Sequence, residues 1–372
     1  MKNLLFCAFN KNYQETMLIP IACNGYSIFF NEDCYHYLNK LLSEKRHSKL
    51  FILVDENTHL HCLPAFLSNI EVEIDPEIIE IEAGEAFKNI DTCNGVWDTL
   101  SQLGADRKSI VINLGGGVVT DLGGFVASTF MRGIDFINVP TTLLAMVDAS
   151  VGGKTGVDLG SLKNQIGVIN VPLAVLIDTS FLRTLPTPQM RSGLAEMLKH
   201  GLIYDADYWN KLKNLTALEA AHLDRLIYES VIIKNTIVTQ DPTENGLRKT
   251  LNFGHTLGHA IESYFLLQKD KKDLLHGEAI AVGMVLEAFL SAELEGLPKN
   301  ELDEIAQTIQ GIYENVYFDE ADIEPIMELM KYDKKNSSGR VNFSLLTKIG
   351  RSVIDKNADN VLIKKAFDFY KK

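Results

Sequence analysis

The feature that most constrains this chain is a change of texture at Leu185-Pro186-Thr187-Pro188. From Leu50 to about Asp178, short β-rich runs alternate with helical patterns. Leu50–Val54, Ser109–Leu114, Phe136–Pro140 and Ala174–Asp178 read as strands, and Val118–Phe130 reads as a helix. Such alternation predicts an α/β domain around a mostly parallel sheet, with ligands near the carboxyl ends of its strands. Beyond the prolines the periodicity is helical almost to the end, over Met190–Tyr204, Leu218–Thr239, Thr256–Leu267 and Glu278–Leu294. A late strand is expected at Asn342–Leu346, and a loop at Lys334–Arg340. The Pro-punctuated stretch at 180–188 is the natural boundary. It separates a Rossmann-like α/β nucleotide-binding domain over residues 1–183 from an all-α domain over 184–372.

Charge narrows the range of partners. The chain has 36 Lys+Arg against 49 Asp+Glu, a formal net charge of −13. That balance argues against nucleic acid and anionic membranes as partners. Any anionic small molecule must be held by a local group of Lys and Arg. The five cysteines, Cys7, Cys23, Cys34, Cys62 and Cys93, have neither zinc-knuckle nor redox-pair spacing, which predicts free thiols in a reducing cytoplasm. Leu4–Phe9 is cut short by Asn10-Lys11-Asn12, so it reads as an opening strand rather than a signal peptide. No run approaches the ~18 apolar residues of a membrane span.

Three groups of residues carry chemistry. Leu114-Gly115-Gly116-Gly117-Val118-Val119-Thr120-Asp121 follows a strand and opens a helix. Glycines there let backbone approach a pyrophosphate at a helix N-terminus, although Thr120 stands where the dinucleotide fingerprint has its third glycine. The plainer reading is a tight turn. Asp148, Gly152-Gly153-Lys154-Thr155-Gly156 and Lys163-Asn164 read as a glycine-rich loop whose lysines suit phosphate oxygens, or as a solvated turn. Glu196 and Lys199 share a helix face, as a surface ion pair also would. His255 and His259, four apart, share another face, as metal-binding histidines often do. His276 opens a further helix, where it could instead serve as a cap. A carboxylate with imidazoles is a donor set for a catalytic divalent metal.

At these strings the chain resembles the 3-dehydroquinate synthases of the sugar-phosphate cyclase superfamily. The matching strings run in order from about Asp55 to Arg340 and include Gly115–Asp121, Arg132-Gly133, Pro140–Asp148, Gly152–Thr155 and Lys163-Asn164. Gly193–Glu196, Gly246–Arg248, Asn252–His255 and His276–Glu278 complete the set. The resemblance implies an NAD-binding α/β domain joined to a helical metal-binding domain, with NAD+ and Zn2+ or Co2+ as cofactors. It places the metal on Glu196, His255 and His276, and makes His259 an active-site residue rather than the ligand its spacing alone nominates. NAD contacts fall on Asp55, Glu85, Lys88, Gly116, Gly117, Val118, Asp121, Thr141, Thr142, Lys154, Lys163, Phe181 and Thr184. Asp148 and Lys199 would bond substrate hydroxyls and assist proton movement. Lys154, Asn164, Lys334 or Lys335, and Arg132 of a neighbouring subunit would hold phosphate. Arg248 and Lys234 would hold a carboxylate, and Asn252 and His259 would line the pocket.

The implied reaction converts 3-deoxy-D-arabino-heptulosonate 7-phosphate to 3-dehydroquinate and phosphate, a step of the shikimate pathway of aromatic amino acid biosynthesis. The carbon-5 hydroxyl is oxidised transiently by NAD+, and the neighbouring carbon-bound proton is lost as phosphate leaves. The hydride returns, the ring opens, and an intramolecular aldol attack closes the carbocycle without net redox change. The enzyme is thus a carbon–oxygen lyase, expected as a cytoplasmic homodimer acting on a phosphorylated heptulosonate. The alternatives are another cyclase, of the 2-deoxy-scyllo-inosose or valiolone type, or a metal-dependent polyol dehydrogenase. Arg248 discriminates against the first, because a guanidinium suits a carboxylate-bearing substrate, and the Lys154, Lys163 and Lys199 set, which suits an anionic substrate, against the second.

Overall fold

The computed structural model describes residues 18–371 apart from 45, 161, 214–222, 269 and 333–340. The opening strand expected at Leu4–Phe9, the loop at Lys334–Arg340 and Cys7 lie outside the described residues. The chain divides into two compact units, one reaching Pro186 and the other beginning at Thr187.

The first unit is built on a seven-stranded sheet. Its opening elements are β1 (Ile21–Ala22), β2 (Ser27–Phe30), α1 (Glu32–Ser43), β3 (Leu50–Asp55), α2 (Glu56–His61), α3 (Leu63–Ser68) and β4 (Glu77–Ile81). They are followed by α4 (Ile90–Gln102), β5 (Ile110–Gly115), α5 (Gly117–Thr129) and β6 (Asp135–Pro140). A hairpin, β7 (Lys154–Leu159) with β8 (Leu162–Ile169), precedes β9 (Ala174–Ile177). The sheet order is β1-β2-β9-β6-β5-β3-β4, parallel except for the antiparallel edge pair β1–β2. The central runs Leu50–Asp55, Ile110–Gly115 and Ala174–Ile177 are nearly all apolar because helices cover both faces of such a sheet. The chain leaves β3 for the edge strand β4 and then returns to the opposite side of β3 as β5. That reversal, between the carboxyl ends of β3 and β5, is where a parallel sheet of this kind opens a ligand crevice.

The segment read as a glycine-rich loop is in fact ordered differently. Asp148 sits in a single π-helical turn, Ala145–Ala149, and Lys154, Lys163 and Asn164 belong to the β7–β8 hairpin. Gly156 and Gly167 face each other across the two strands, and a side chain on either would strike the opposite backbone. These glycines therefore serve strand approach rather than loop freedom.

The second unit is helical. It comprises α6 (Thr187–Tyr204), α7 (Ala206–Leu212), α8 (Leu223–Gln240), α9 (His255–Leu267), α10 (His276–Glu295), α11 (Lys299–Ile312) and α12 (Glu320–Leu329). A hairpin, β10 (Phe343–Lys348) with β11 (Arg351–Lys356), and α13 (Asn360–Tyr370) follow. The hairpin amends the all-α expectation and lies where the sequence reads a late strand. Helix α10 is apolar on every side and buried along most of its length, as the central helix of a bundle must be. It packs against α6, α9, α11, α13 and β10. The approach of α9 is close because Gly283 on α10 lies against the carbonyl of Gly254, where a Cβ would collide. Gly254 itself has φ 78° and leads into α9. Among the described residues no helix is long and apolar enough to cross a membrane.

Candidate functional site

In the first unit the glycine turn joins β5 to α5. Gly116 is the N-cap of α5 and no described side chain caps that end, so its first N–H groups face outward, ready for an anion. A Cβ on Gly115 would collide with Val119, and one on Gly116 would press into the Thr142 side chain. The turn therefore admits backbone approach only as glycine. The close-packing role of the missing third fingerprint glycine is taken by Gly123, where any side chain would overlap Asn113 of β5. Thr141 follows β6 and its N–H bonds the Gly115 carbonyl, while Thr142 accepts from Ala145 N–H. Asp55, at the carboxyl end of β3, accepts from Thr58 N–H at 2.8 Å and caps α2. Phe181 and Thr184 lie on the 3-10 turn Thr179–Thr184 after β9.

An ion network around the buried Lys88 lies beside this turn. Lys88, only 4% exposed, places Nζ 3.2 Å from Glu85 and 3.3 Å from Asp121. Lys163 reaches Glu85 at 2.9 Å and Asp158 at 3.8 Å. Asp158 also accepts from the N–H of Asn164, whose backbone is left-handed at φ 50°. Burial pushes the Asp121 carboxyl up to about 6, with Lys88 opposing the rise. Burial would raise Glu85 too, but Lys88 and Lys163 together hold it at about 2. Burial disfavours the Lys88 charge, yet Glu85, Asp121 and Asp158 hold that ammonium well above its usual range. The network thus sets Lys88 and Lys163 among three carboxylates near the glycine turn. Asp158 was not legible as a participant in the sequence.

In the second unit, α6, α9 and α10 bring Glu196, His255, His259 and His276 together. The three histidines offer nitrogens within 4.8 Å of one another. Glu196 is fully buried, and its Oε2 accepts from Lys199 Nζ one turn on. Among the described residues its Oε1 has no hydrogen-bond partner, although His255 Nε2 lies 3.4 Å away and His276 Nε2 3.9 Å away. An unsatisfied buried carboxylate oxygen costs at least about 1–3 kcal/mol. Tetrahedral bonds of 2.0–2.1 Å separate two ligand atoms by roughly 3.3 Å, close to these spacings.

The imidazole tautomers fit as well. His255 Nδ1 donates to the Phe253 carbonyl at 3.1 Å, and His276 Nδ1 faces Glu262 Oε2 at 3.1 Å. In the neutral ring each Nε2 is then the lone-pair nitrogen, turned toward Glu196. A divalent cation would complete this donor set. The capping role that His276 could have filled belongs to Glu278, whose carboxylate accepts from Leu275 N–H. Glu287 of α10 accepts from Gly254 and Leu257 N–H and so fixes the start of α9.

Basic residues surround this unit's polar groups. Arg248 is 2% exposed and donates from Nη1 to the Pro242 carbonyl at 2.8 Å. Asp241 accepts from the N–H groups of Asn245, Gly246 and Arg248, folding this segment back on itself. Asn252 Nδ2 donates to Glu244, a carboxylate that no sequence motif singled out. Lys234 is buried on α8, which packs against α6 and the 3-10 turn Leu247–Asn252. Arg132 lies in the first unit at φ 70°, just after Met131 at φ 48°. Lys334 and Lys335 lie outside the described residues.

Residues 78–192 match the 3-dehydroquinate synthase N-terminal family model, and residues 193–336 the corresponding C-terminal model. A 3-dehydroquinate synthase of Parabacteroides distasonis is 42% identical over 342 residues, covering 91% of this chain and 96% of that protein. One from Streptococcus pyogenes is 38% identical, covering 93% and 96%. Among solved structures, a 2-epi-5-epi-valiolone synthase from Streptomyces hygroscopicus with NAD+ and Zn2+ bound superposes with a TM-score of 0.82 at 26% identity. It covers 94% of this chain and 98% of that one. The chain belongs to the 3-dehydroquinate synthase family.

Proposed function

We propose that the helical unit, residues 184–372, holds a divalent metal on Glu196, His255 and His276. The α/β unit, residues 1–183, holds NAD+ at the Gly115–Gly117 turn. The pair acts on 3-deoxy-D-arabino-heptulosonate 7-phosphate to give 3-dehydroquinate and phosphate. The observation that carries this reading is the buried Glu196 Oε1, unbonded and facing two tautomer-locked imidazoles. When bound, NAD+ accepts and returns a hydride, and the metal acts as a Lewis acid on vicinal substrate hydroxyls. Asp55, Glu85, Lys88, Gly116, Gly117, Val118, Asp121, Thr141, Thr142, Lys163, Phe181 and Thr184 surround the nucleotide.

The chain's own groups then have distinct tasks. Arg248 and Lys234 grip the substrate carboxylate, with the guanidinium held rigid by the Asp241 fold. Lys154, Asn164 and a lysine of Lys334-Lys335 hold the phosphate, with Arg132 contributed by a second copy. Asp148 and Lys199 hold substrate hydroxyls, and Lys199 Nζ, which donates to Glu196, is placed to pass a proton. Asn252 and His259 line the pocket. The leaving phosphate takes the neighbouring carbon-bound proton on one of its oxygens, so that this step needs no protein base.

Arg248→Ala tests the substrate assignment. It should raise the KM for the carboxylated substrate by about 100-fold or more, the scale of losing a charge-assisted bidentate contact, with zinc and NAD+ binding intact. An unchanged KM would return the assignment to a cyclase whose substrate lacks a carboxylate.

A homodimer fits the exposed apolar side chains of the hairpin, Leu159, Val168 and Ile169, together with Met131. Light scattering should give twice the chain mass. A monomer would remove the role given to Arg132. The free thiols Cys23, Cys34, Cys62 and Cys93 suit the reducing cytoplasm.

A further inference from the structure

We propose that Glu262 is the positioning residue of the metal centre, fixing the His276 ring so that its Nε2 faces Glu196. The inference rests on the ligand reading above and concerns a residue that reading does not use. His255, His259 and Glu262 follow one another at i, i+4 and i+7, so one face of α9 delivers two imidazoles and a carboxylate. That carboxylate is turned to a histidine of another helix. Its Oε2 lies 3.1 Å from His276 Nδ1, and the residue is 9% exposed.

The two ligand rings are locked by different means. His255 is held by the backbone carbonyl of Phe253, at the entry to its own helix. His276 is the first residue of α10 and its side chain is more exposed, 26% against 10% for His255. The Ser192 hydroxyl accepts from Gly277 N–H and anchors the backbone there, but this contact does not select between the two ring nitrogens. The Glu262 carboxylate does: it requires the proton on Nδ1 and leaves Nε2 as the lone-pair donor. It also raises the basicity of the ring as a ligand. Glu262 would thus act on the centre through His276.

Zinc affinity decides the matter. Protein stripped with a chelator is titrated with Zn2+ against a chromophoric competitor, for wild type, Glu262→Ala, Glu262→Gln and His276→Ala. The melting midpoint of each metal-free protein is read alongside. Glu262→Ala should weaken zinc binding roughly 10- to 100-fold. Glu262→Gln should recover part of that loss, since its amide oxygen still accepts from Nδ1–H. Metal-free melting should stay close to wild type in both, and His276→Ala should lose the most zinc affinity.

If His276→Ala loses zinc but Glu262→Ala binds it as wild type does, Glu262 has no positioning role and the ligand reading stands. If His276→Ala itself binds normally, the ligand reading fails. If zinc affinity falls only in step with the metal-free melting midpoint and Glu262→Gln recovers nothing, Glu262 is merely structural and the inference is overturned.

Discussion

The two binding regions reach readiness by opposite routes. Beside the glycine turn, Lys88 and Lys163 are balanced by Glu85, Asp121 and Asp158, so the charges satisfy one another without a ligand. Around Glu196 the donors converge, and among the described residues its Oε1 has no hydrogen bond. A self-compensated network can wait for a cofactor at little cost. A converging set of lone pairs is a buried penalty until a cation enters. Losing one partner should therefore be graded in the first region and severe in the second.

The sharpest way to break this contrast is at Glu196. Glu196→Gln should reduce zinc affinity by more than the roughly 100-fold that outer partners cost, and turnover should fall with it. Isothermal titration with Zn2+ would check this. His259→Ala, by contrast, should keep zinc, though it is as near its fellow histidines as they are to each other. A large loss at His259 with none at Glu196 would make the centre a three-histidine site. Chelator treatment of the wild type should abolish turnover, and added Zn2+ or Co2+ should restore it.

The next effect belongs to the glycine turn. Gly116→Val should weaken NAD+ binding by about tenfold or more, because its Cβ meets Thr142 and its branches stand where the pyrophosphate approaches. Zinc affinity should not move. Fluorescence titration with NADH would show both the loss and, if the account is wrong, its absence.

The smallest effect is a pH dependence. Asp121 has a folded value of about 6 against an ordinary 3.8, so between those limits the folded protein binds the proton more tightly. Its contribution to stability is therefore greatest at low pH and falls as pH rises from about 4 to about 6. Glu85 acts in the other sense, losing its contribution as pH falls from 4.5 toward about 2. The melting midpoint of Asp121→Asn should therefore gain on the wild type as pH rises through about 6. A constant difference from about pH 4 to 8 would show that burial does not set this carboxyl.

Legibility in the sequence followed distance along the chain. The glycine turn, the strands from Leu50 onward and the His255/His259 pair are local patterns, and the structure places each in the kind of element expected. The β7–β8 hairpin was hidden because Gly152-Gly153-Lys154 and Lys163-Asn164 have loop-like composition, whereas the strand pairing depends on Gly156 meeting Gly167. Glu262 and Glu287 are not legible because their partners come from other helices, and Asp158 and Glu244 because they meet theirs only through a hairpin or a folded-back turn. Glu262 alone had a signal: it continues the His255/His259 face by one more turn. Ser192 could not have been anticipated, since its role arises from the packing of α6 against the start of α10.

The most direct test of the central claim is phosphate release from 3-deoxy-D-arabino-heptulosonate 7-phosphate, with zinc and a substoichiometric amount of NAD+, while nicotinamide absorbance is followed. The account predicts many phosphates released per NAD+ with no lasting NADH, since the hydride is returned in each turnover. No phosphate release, but steady NADH formation from a simple polyol, would contradict it and remove the roles given to Arg248 and Lys234.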